Sequence, residues 1–198
     1  MKIGLFFGSF NPIHYGHLAM AQFLKEEDIF DQIWMVVSPN NPLKENFELA
    51  DAHHRLKLVQ LAVEDFPFLK SCDVEFSLPV PSYTIDTLHY LDTQNPNYEF
   101  SLILGTDNIE NFHKWKNYEE IQNKYKIYVY PRSTGNTKNT NQLIDHQNII
   151  YIDAPLLPIS ATEIRTLLRQ KKPVDNFIPH SVIQYIEKEE IYGCGIQL

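Results

Sequence analysis

Cysteine, glycine and positive charge are all scarce in this chain of 198 residues. The two cysteines, Cys72 and Cys194, match no metal-ligand or redox spacing and are too few for a disulfide scaffold. They read as plain thiols in a reducing compartment. Seven glycines exclude a collagen-like chain, and 12 Pro with 12 Phe and 11 Tyr do not fit a coiled coil. No apolar run approaches the roughly 18 residues of a membrane span. The N-terminal run Ile3–Phe7 is too short for a signal peptide and ends in a Gly/Asn/Pro turn. These absences predict a cytoplasmic protein with no membrane partner. Lys+Arg number 17 against 25 Asp+Glu, a net charge of −8, which argues against a general nucleic-acid binder.

What is present is an ordinary globular composition, 43% hydrophobic and 21% charged, which excludes disorder throughout. The basic residues are concentrated: His113–Lys172 holds ten Lys/Arg and five Asp/Glu. Such a segment in an acidic chain suits either a focused site for a small anion or a solvated basic face. Residues 1–198 read as a single domain with no repeat or linker. Residues 133–142, STGNTKNTNQ, have no large apolar side chain and read as a mobile loop, and 153–198 as a C-terminal helical part. The oligomeric state stays open, with a homo-oligomer possible.

Short apolar runs alternate with helical spacing. Strands are expected at Ile3–Phe7, Ile33–Val37, Val74–Phe76, Phe100–Leu104, Ile127–Tyr130 and Ile149–Ile152. Helices are expected at His17–Glu27, from a cap at Asp51 to Glu64, at Thr84–Leu91, Ala161–Arg169 and Ser181–Glu189. This order predicts an α/β fold with a doubly wound, Rossmann-like parallel sheet. Ligands of such sheets bind beyond the carboxyl ends of the strands. That rim gathers Gly8–His17, Ser38–Lys44, Gly105–Asp107, Tyr130–Arg132 and Pro158–Arg165, the segments richest in Gly, His, Asn and Arg.

The first turn, Gly8-Ser9-Phe10-Asn11-Pro12-Ile13-His14-Tyr15-Gly16-His17, leads from a strand into a helix, a geometry that turns backbone N–H groups towards an anion. It has neither the Walker spacing nor the Gly-x-Gly-x-x-Gly fingerprint. His14 and His17 near a helix start can face one ligand, or serve as a cap and a core residue. Gly16 removes a side chain where a nucleotide would approach the backbone. A zinc site needs a third ligand; the Glu of His-Glu-x-x-His is missing, and His53 and His54, adjacent on a helix, diverge. In the second motif, Ile159-Ser160-Ala161-Thr162-Glu163-Ile164-Arg165, Ser160 and Glu163 have capping-box spacing and Arg165 can offer a fork to phosphate oxygens. Pro81-Ser82-Tyr83-Thr84 opens a further helix, with Ser or Thr as its cap.

The stretch GSFNPIHYGH resembles the His-x-Gly-His signature of the nucleotidyltransferase superfamily, and more narrowly that of nicotinate-nucleotide adenylyltransferases. ISATEIR matches the Ile-Ser-x-Thr-x-x-Arg motif of the same superfamily, and the resemblance spans nearly the whole chain. It implies that His14, His17 and Arg165 act on the ATP phosphates. It also implies that Gly8, Ser9, Phe10, Gly16, Gly105, Asp107, Arg132, Ile159, Ser160 and Thr162 line the ATP subsite, Asp107 by binding ribose hydroxyls. For the acceptor, nicotinate mononucleotide, it implies Ser82, Tyr83 and Thr84 through backbone amides and the Thr, Trp115 by stacking on the pyridine ring, and Asn40 and Lys44 from a lining loop. The usual Gly-Thr-Phe-Asp-Pro stands here as Gly8-Ser9-Phe10-Asn11-Pro12, a form also found in relatives that accept nicotinamide mononucleotide.

The implied reaction is adenylyl transfer from ATP with release of pyrophosphate. A phosphate monoester, with its second pKa of about 6, is already a nucleophilic anion at neutral pH, so no general base is required. No carboxylate cluster offers a cage for Mg²⁺, which is expected to arrive with ATP. Other readings are a phosphopantetheine acceptor, a nucleotide-binding sensor without catalysis, and a metal hydrolase.

Overall fold

Along β1 (Lys2–Gly8), Ile3 and Leu5 pack on one face of the sheet and Phe6 on the other. The same period-two alternation recurs in β2 (Gln32–Val37), where Trp34 and Val36 oppose Ile33, Met35 and Val37. It recurs again in β4 (Glu99–Gly105), where Leu102 and Leu104 oppose Ile103. Strands apolar on both sides must be covered on both faces, which is the condition for a buried parallel sheet. The computed structural model describes residues 1–39, 49–132, 144–155 and 158–193. Among these, six strands form one sheet in the order β3-β2-β1-β4-β5-β6, every pairing parallel, with β3 at Leu69–Cys72, β5 at Lys126–Tyr130 and β6 at Ile149–Tyr151.

Helices α1 (Tyr15–Glu26) and α2 (Ala52–Val63) cover one face, with two later helices, α6 (Ala161–Arg169) and α7 (His180–Lys188). Their Leu18, Ala21, Leu24, Leu58, Val59, Ile164, Leu168, Val182 and Ile186 fill that layer. The other face is covered by α3 (Thr84–Gln94) with the short α4 (Thr106–Ile109) and α5 (Tyr118–Lys124), through Ile85, Leu88, Leu91, Ile109 and Ile121. This is the doubly wound sheet expected of the sequence. The strand order reverses between β1 and β4, so their carboxyl ends open a crevice there. No described helix is long and apolar enough to cross a membrane.

Some expectations change. Val74–Phe76 is not a strand: the third strand lies earlier, at Leu69–Cys72, and Val74–Ser77 forms a tight 3₁₀ turn with the Phe76 N–H on the Asp73 carbonyl at 2.9 Å. The alternation misled because the residue turned inwards is Glu75, 3% exposed, and not its apolar neighbours. Helix α1 starts at Tyr15, ahead of His17, and α3 runs on to Gln94. The Asp51 cap is present, with its carboxylate accepting the His53 N–H at 2.8 Å. Ser160 precedes α6, but its hydroxyl makes no capping bond, so the capping box does not form. The expected Ser or Thr cap of α3 is absent too: the cap position is Tyr83, Thr84 is the first helical residue, and no side chain caps it. The expected loop at 133–142, Asn40, Lys44 and Cys194 lie outside the described residues.

Candidate active site

A cleft of about 890 Å³ opens at the carboxyl ends of β1, β4 and β5, where the strand order reverses. The two sequence motifs meet there: Gly8, Ser9, Phe10, Asn11 and His17 come from one side, and Ser160, Thr162 and Arg165 from the other. Gly105, Asp107, Tyr130 and Arg132 line its floor, and Ser82, Tyr83, Thr84 and Trp115 its far end. Lys114, Lys116, Arg132 and Arg165, all from the basic segment, border it, which concentrates positive charge at one place in an acidic chain.

The turn after β1 is shaped by packing more than by glycine freedom. Its left-handed residue is Phe10, at φ 44°. The Phe10 ring folds back over Gly8, where a Cβ would lie 2.8 Å from it, so Gly8 is there to admit the ring. Phe10 and Phe6 then hold the His17 imidazole edge to face at 5.1 and 5.9 Å. The His17 Nδ1 accepts the His14 backbone N–H at 3.3 Å, which leaves Nε2 as the proton-bearing nitrogen of a neutral ring.

His14 is not at the cleft wall. It is 4% exposed, stacked on His17 at 3.7 Å between ring centroids, and neither of its ring nitrogens has a hydrogen-bond partner among the described residues. Burial, with the positive charge of Arg132 a second cause, pushes its pKa down to about 3. A Cβ on Gly16 would come within 2.9 Å of the His14 Nδ1, so the glycine makes room for the imidazole. Ile159 is partly buried and packs against the main core cluster.

The neutral state of His14 has a measurable consequence. Above pH 6.5 it is uncharged both folded and unfolded. As pH falls from there towards 3, the unfolded chain takes up a proton that the folded one refuses, and stability falls by about 1.4 kcal/mol per pH unit. Replacing His14 by Asn should flatten this slope between pH 6.5 and 4 in denaturant titrations. Parallel curves for the two proteins would show that the buried ring is charged.

Asp107 reaches back over its own strand end. A Cβ on Gly105 would meet its Oδ1 at 2.5 Å, which explains the glycine two residues before the acid. Its Oδ2 accepts from Arg132 Nη1 at 3.0 Å, both side chains being about one-third exposed or less. Its Oδ1 and the Ser9 hydroxyl are buried without a hydrogen-bond partner among the described residues. Unsatisfied buried polar atoms are rare in folded proteins, and here two of them belong to residues that line the cleft. Arg165 donates to the Asn11 carbonyl at 2.9 Å and to the Thr162 hydroxyl at 3.4 Å, which ties the second motif to the first. Asn11 Oδ1 accepts from the Ala50 N–H and from the Tyr192 hydroxyl at 3.1 and 2.8 Å. Its place in the turn is thus set by folding.

Two residues escaped the sequence reading. Arg55, 1% exposed, donates to the carbonyls of Ala50, Ser9, Ser38 and Pro39 at 2.6 to 2.9 Å, joining the turn after β1 to the end of β2 and the approach to α2. Its signal was a charged residue three and four positions before Leu58 and Val59, on the apolar face of a helix. Glu75 lines the cleft and accepts from the Ser82 and Thr87 hydroxyls. Ser82, expected at the acceptor through its backbone, lines the cleft, and its hydroxyl donates to Glu75. Trp115 stands half-buried against Phe112, with ring centroids 5.4 Å apart. Lys116 Nζ lies 4.8 Å above the Tyr83 ring and pairs with Asp86 at 2.8 Å.

Residues 5–167 match the family described as Cytidylyltransferase-like. The chain belongs to that family. Within it, this member is 51% identical over 192 residues to a protein of Flavobacterium psychrophilum named "Probable nicotinate-nucleotide adenylyltransferase", covering 97% of this chain and 99% of that one. It is 44% identical over 193 residues to a protein of the same name from Cytophaga hutchinsonii, covering 98% and 99%. Among solved structures, the Plasmodium falciparum nicotinic acid mononucleotide adenylyltransferase complexed with NaAD shares its fold, with a TM-score of 0.76 and 21% identity over 98% of both chains. The same enzyme complexed with APC matches at a TM-score of 0.75. The cytidylyltransferase-like sheet thus carries the His-x-Gly-His turn and the second motif of this member to one rim.

Proposed function

We propose that this protein transfers the adenylyl group of ATP to the phosphate of nicotinate mononucleotide, giving nicotinate adenine dinucleotide and pyrophosphate, a step of NAD biosynthesis. One observation carries the reading: the cleft unites both superfamily motifs at one end with the Ser82–Thr84 helix start and Trp115 at the other. Close full-length relatives bearing the adenylyltransferase name support it.

An oxygen of the acceptor phosphate attacks the α-phosphorus in line. The bond to the bridging oxygen breaks, and that oxygen leaves with pyrophosphate. Because the nucleophile is already anionic, catalysis is positioning and charge stabilisation. His17, neutral and held by Phe6 and Phe10, donates its Nε2–H to a phosphate oxygen. Arg132 and Arg165 bring positive charge to the triphosphate, with the Ser160 helix start. His14 acts from beneath as the platform on which the His17 ring stacks. Asp107 offers its carboxylate to ribose hydroxyls. The substrate is MgATP. Mg²⁺ would arrive on the phosphate oxygens of ATP and keep most of its waters.

The test is pyrophosphate release from MgATP with nicotinate mononucleotide, run beside nicotinamide mononucleotide. Faster release with the acid is the expected result; preference for the amide would reassign the acceptor, and release with neither would overturn the reading. Trp115→Ala should raise the KM for the pyridine nucleotide by about tenfold or more, the loss of one stacked ring, and leave that for ATP nearly unchanged. Equal rises in both would remove Trp115 from the acceptor end.

A further inference from the structure

We infer that Glu75 is the positioning residue of the acceptor end: it fixes the start of α3 so that its backbone amides, and not the Ser82 hydroxyl, meet the acceptor anion. The inference rests on the proposed reaction and adds to it a residue that neither sequence motif contains.

Glu75 sits on the turn Val74–Ser77 and is 3% exposed, yet it borders the cleft. Its two carboxylate oxygens are used separately. Oε2 accepts from the Ser82 hydroxyl at 2.9 Å, and Oε1 from the Thr87 hydroxyl at 3.0 Å. Ser82 lies just before α3 and Thr87 in its first turns, so one buried side chain grips the helix on both sides of its start. The Ser38 hydroxyl, at the end of β2, also favours the charged form. No described lysine, arginine or histidine makes a hydrogen bond or ion pair with Glu75. Burial raises its pKa, the expected cost of a carboxylate held only by hydroxyls.

That arrangement explains the missing cap. An Asp or Ser cap on α3 would spend first-turn N–H groups on a side chain. Here no side chain caps the helix, and its orientation is set from outside by Glu75. The Asp86 N–H donates to the Tyr83 carbonyl at 3.0 Å, and the amides of Thr84 and Ile85, ahead of it, are the ones this arrangement offers to an anion. A hydroxyl has one proton to give, and that of Ser82 goes to Glu75. A carboxylate is required because it accepts at two oxygens, whereas a glutamine accepts at one and presents donors at the other.

Two variants separate positioning from bulk stability. Glu75→Gln replaces one of the two accepting oxygens by an amide donor, so one of the two grips on α3 is lost. Thr87→Val removes the hydroxyl that donates to Glu75 at 3.0 Å, with the Tyr83 carbonyl a longer alternative at 3.4 Å, at a fully buried position away from the cleft wall. In Glu75→Gln the KM for nicotinate mononucleotide should rise about tenfold while the KM for MgATP changes less than about twofold. Thr87→Val should move in the same direction by a smaller factor. A fall in thermal midpoint with both KM values unchanged, or an equal rise in both, would overturn the inference. If the wild-type protein releases no pyrophosphate with this acceptor, the proposed reaction falls. Backbone hydrogen exchange then decides the role of Glu75 by itself. Exchange in Glu75→Gln should accelerate at residues 82–88 and stay unchanged at residues 8–17. Unchanged exchange at 82–88 would refute the grip on α3.

Discussion

His17→Ala should lower kcat by about 10²–10³, the usual cost of removing one donor aimed at developing charge. The His17 ring is held from several sides. Phe6 and Phe10 meet it edge-on, His14 stacks beneath it, and the His14 backbone N–H fixes its tautomer. A donor so restrained needs little reorganisation when phosphate charge builds. The ring is only half-buried, so its loss should leave the fold standing. His17→Gln offers an amide N–H near the place of Nε2–H and should retain more activity than the alanine variant. Single-turnover rates at saturating MgATP and acceptor are the appropriate measurement. A near wild-type rate for His17→Ala would remove this side chain from the chemistry.

The largest effect on stability is expected at Arg55. Arg55→Met keeps much of the aliphatic stem but strips the donors from four carbonyls at once. A buried acceptor left unpaired costs about 1–3 kcal/mol, and water will reach some of these loop carbonyls, so a total of about 3–4 kcal/mol is expected. In a chain of this size that lowers Tm by roughly 10 °C. Arg55→Lys, with a compact ammonium in place of a planar fork, should recover part of the loss. Denaturant midpoints for the three proteins test this. A loss below about 1 kcal/mol in Arg55→Met would mean that the carbonyls are satisfied without the guanidinium.

The sheet was readable because its strands are buried on both faces and end in Gly, Asn, Pro or Arg, and a doubly wound sheet has only one rim where such ends collect. The glycines at 8, 16 and 105 were readable as special positions, but the side chains they admit were not. Each makes room for a side chain of the same site, namely Phe10, His14 and Asp107, and such packing has no local signature. Capping spacings at Ser160 and Thr84 failed for a related reason: a hydroxyl in the right register still needs a backbone turned towards it, and tertiary contacts set that turn. Arg55 and Glu75 stayed hidden because a buried charge looks like a surface charge until its partners are known. The partners of Arg55 are main-chain carbonyls that no side-chain motif encodes.

The contacts of Asn11 bear on how the protein comes off the ribosome. Its carbonyl waits for Arg165, 154 residues later, and its side-chain oxygen, which meets the Ala50 N–H first, gains Tyr192 only 181 residues later. At translation speeds of about 5–20 residues per second, the turn is exposed for roughly 10–30 s before those partners exist. During that interval neither nucleotide can stabilise the nascent chain through a finished site, because ligand stabilisation acts only on the form that binds. The first turn to be synthesised is therefore among the last parts of the cleft to be completed.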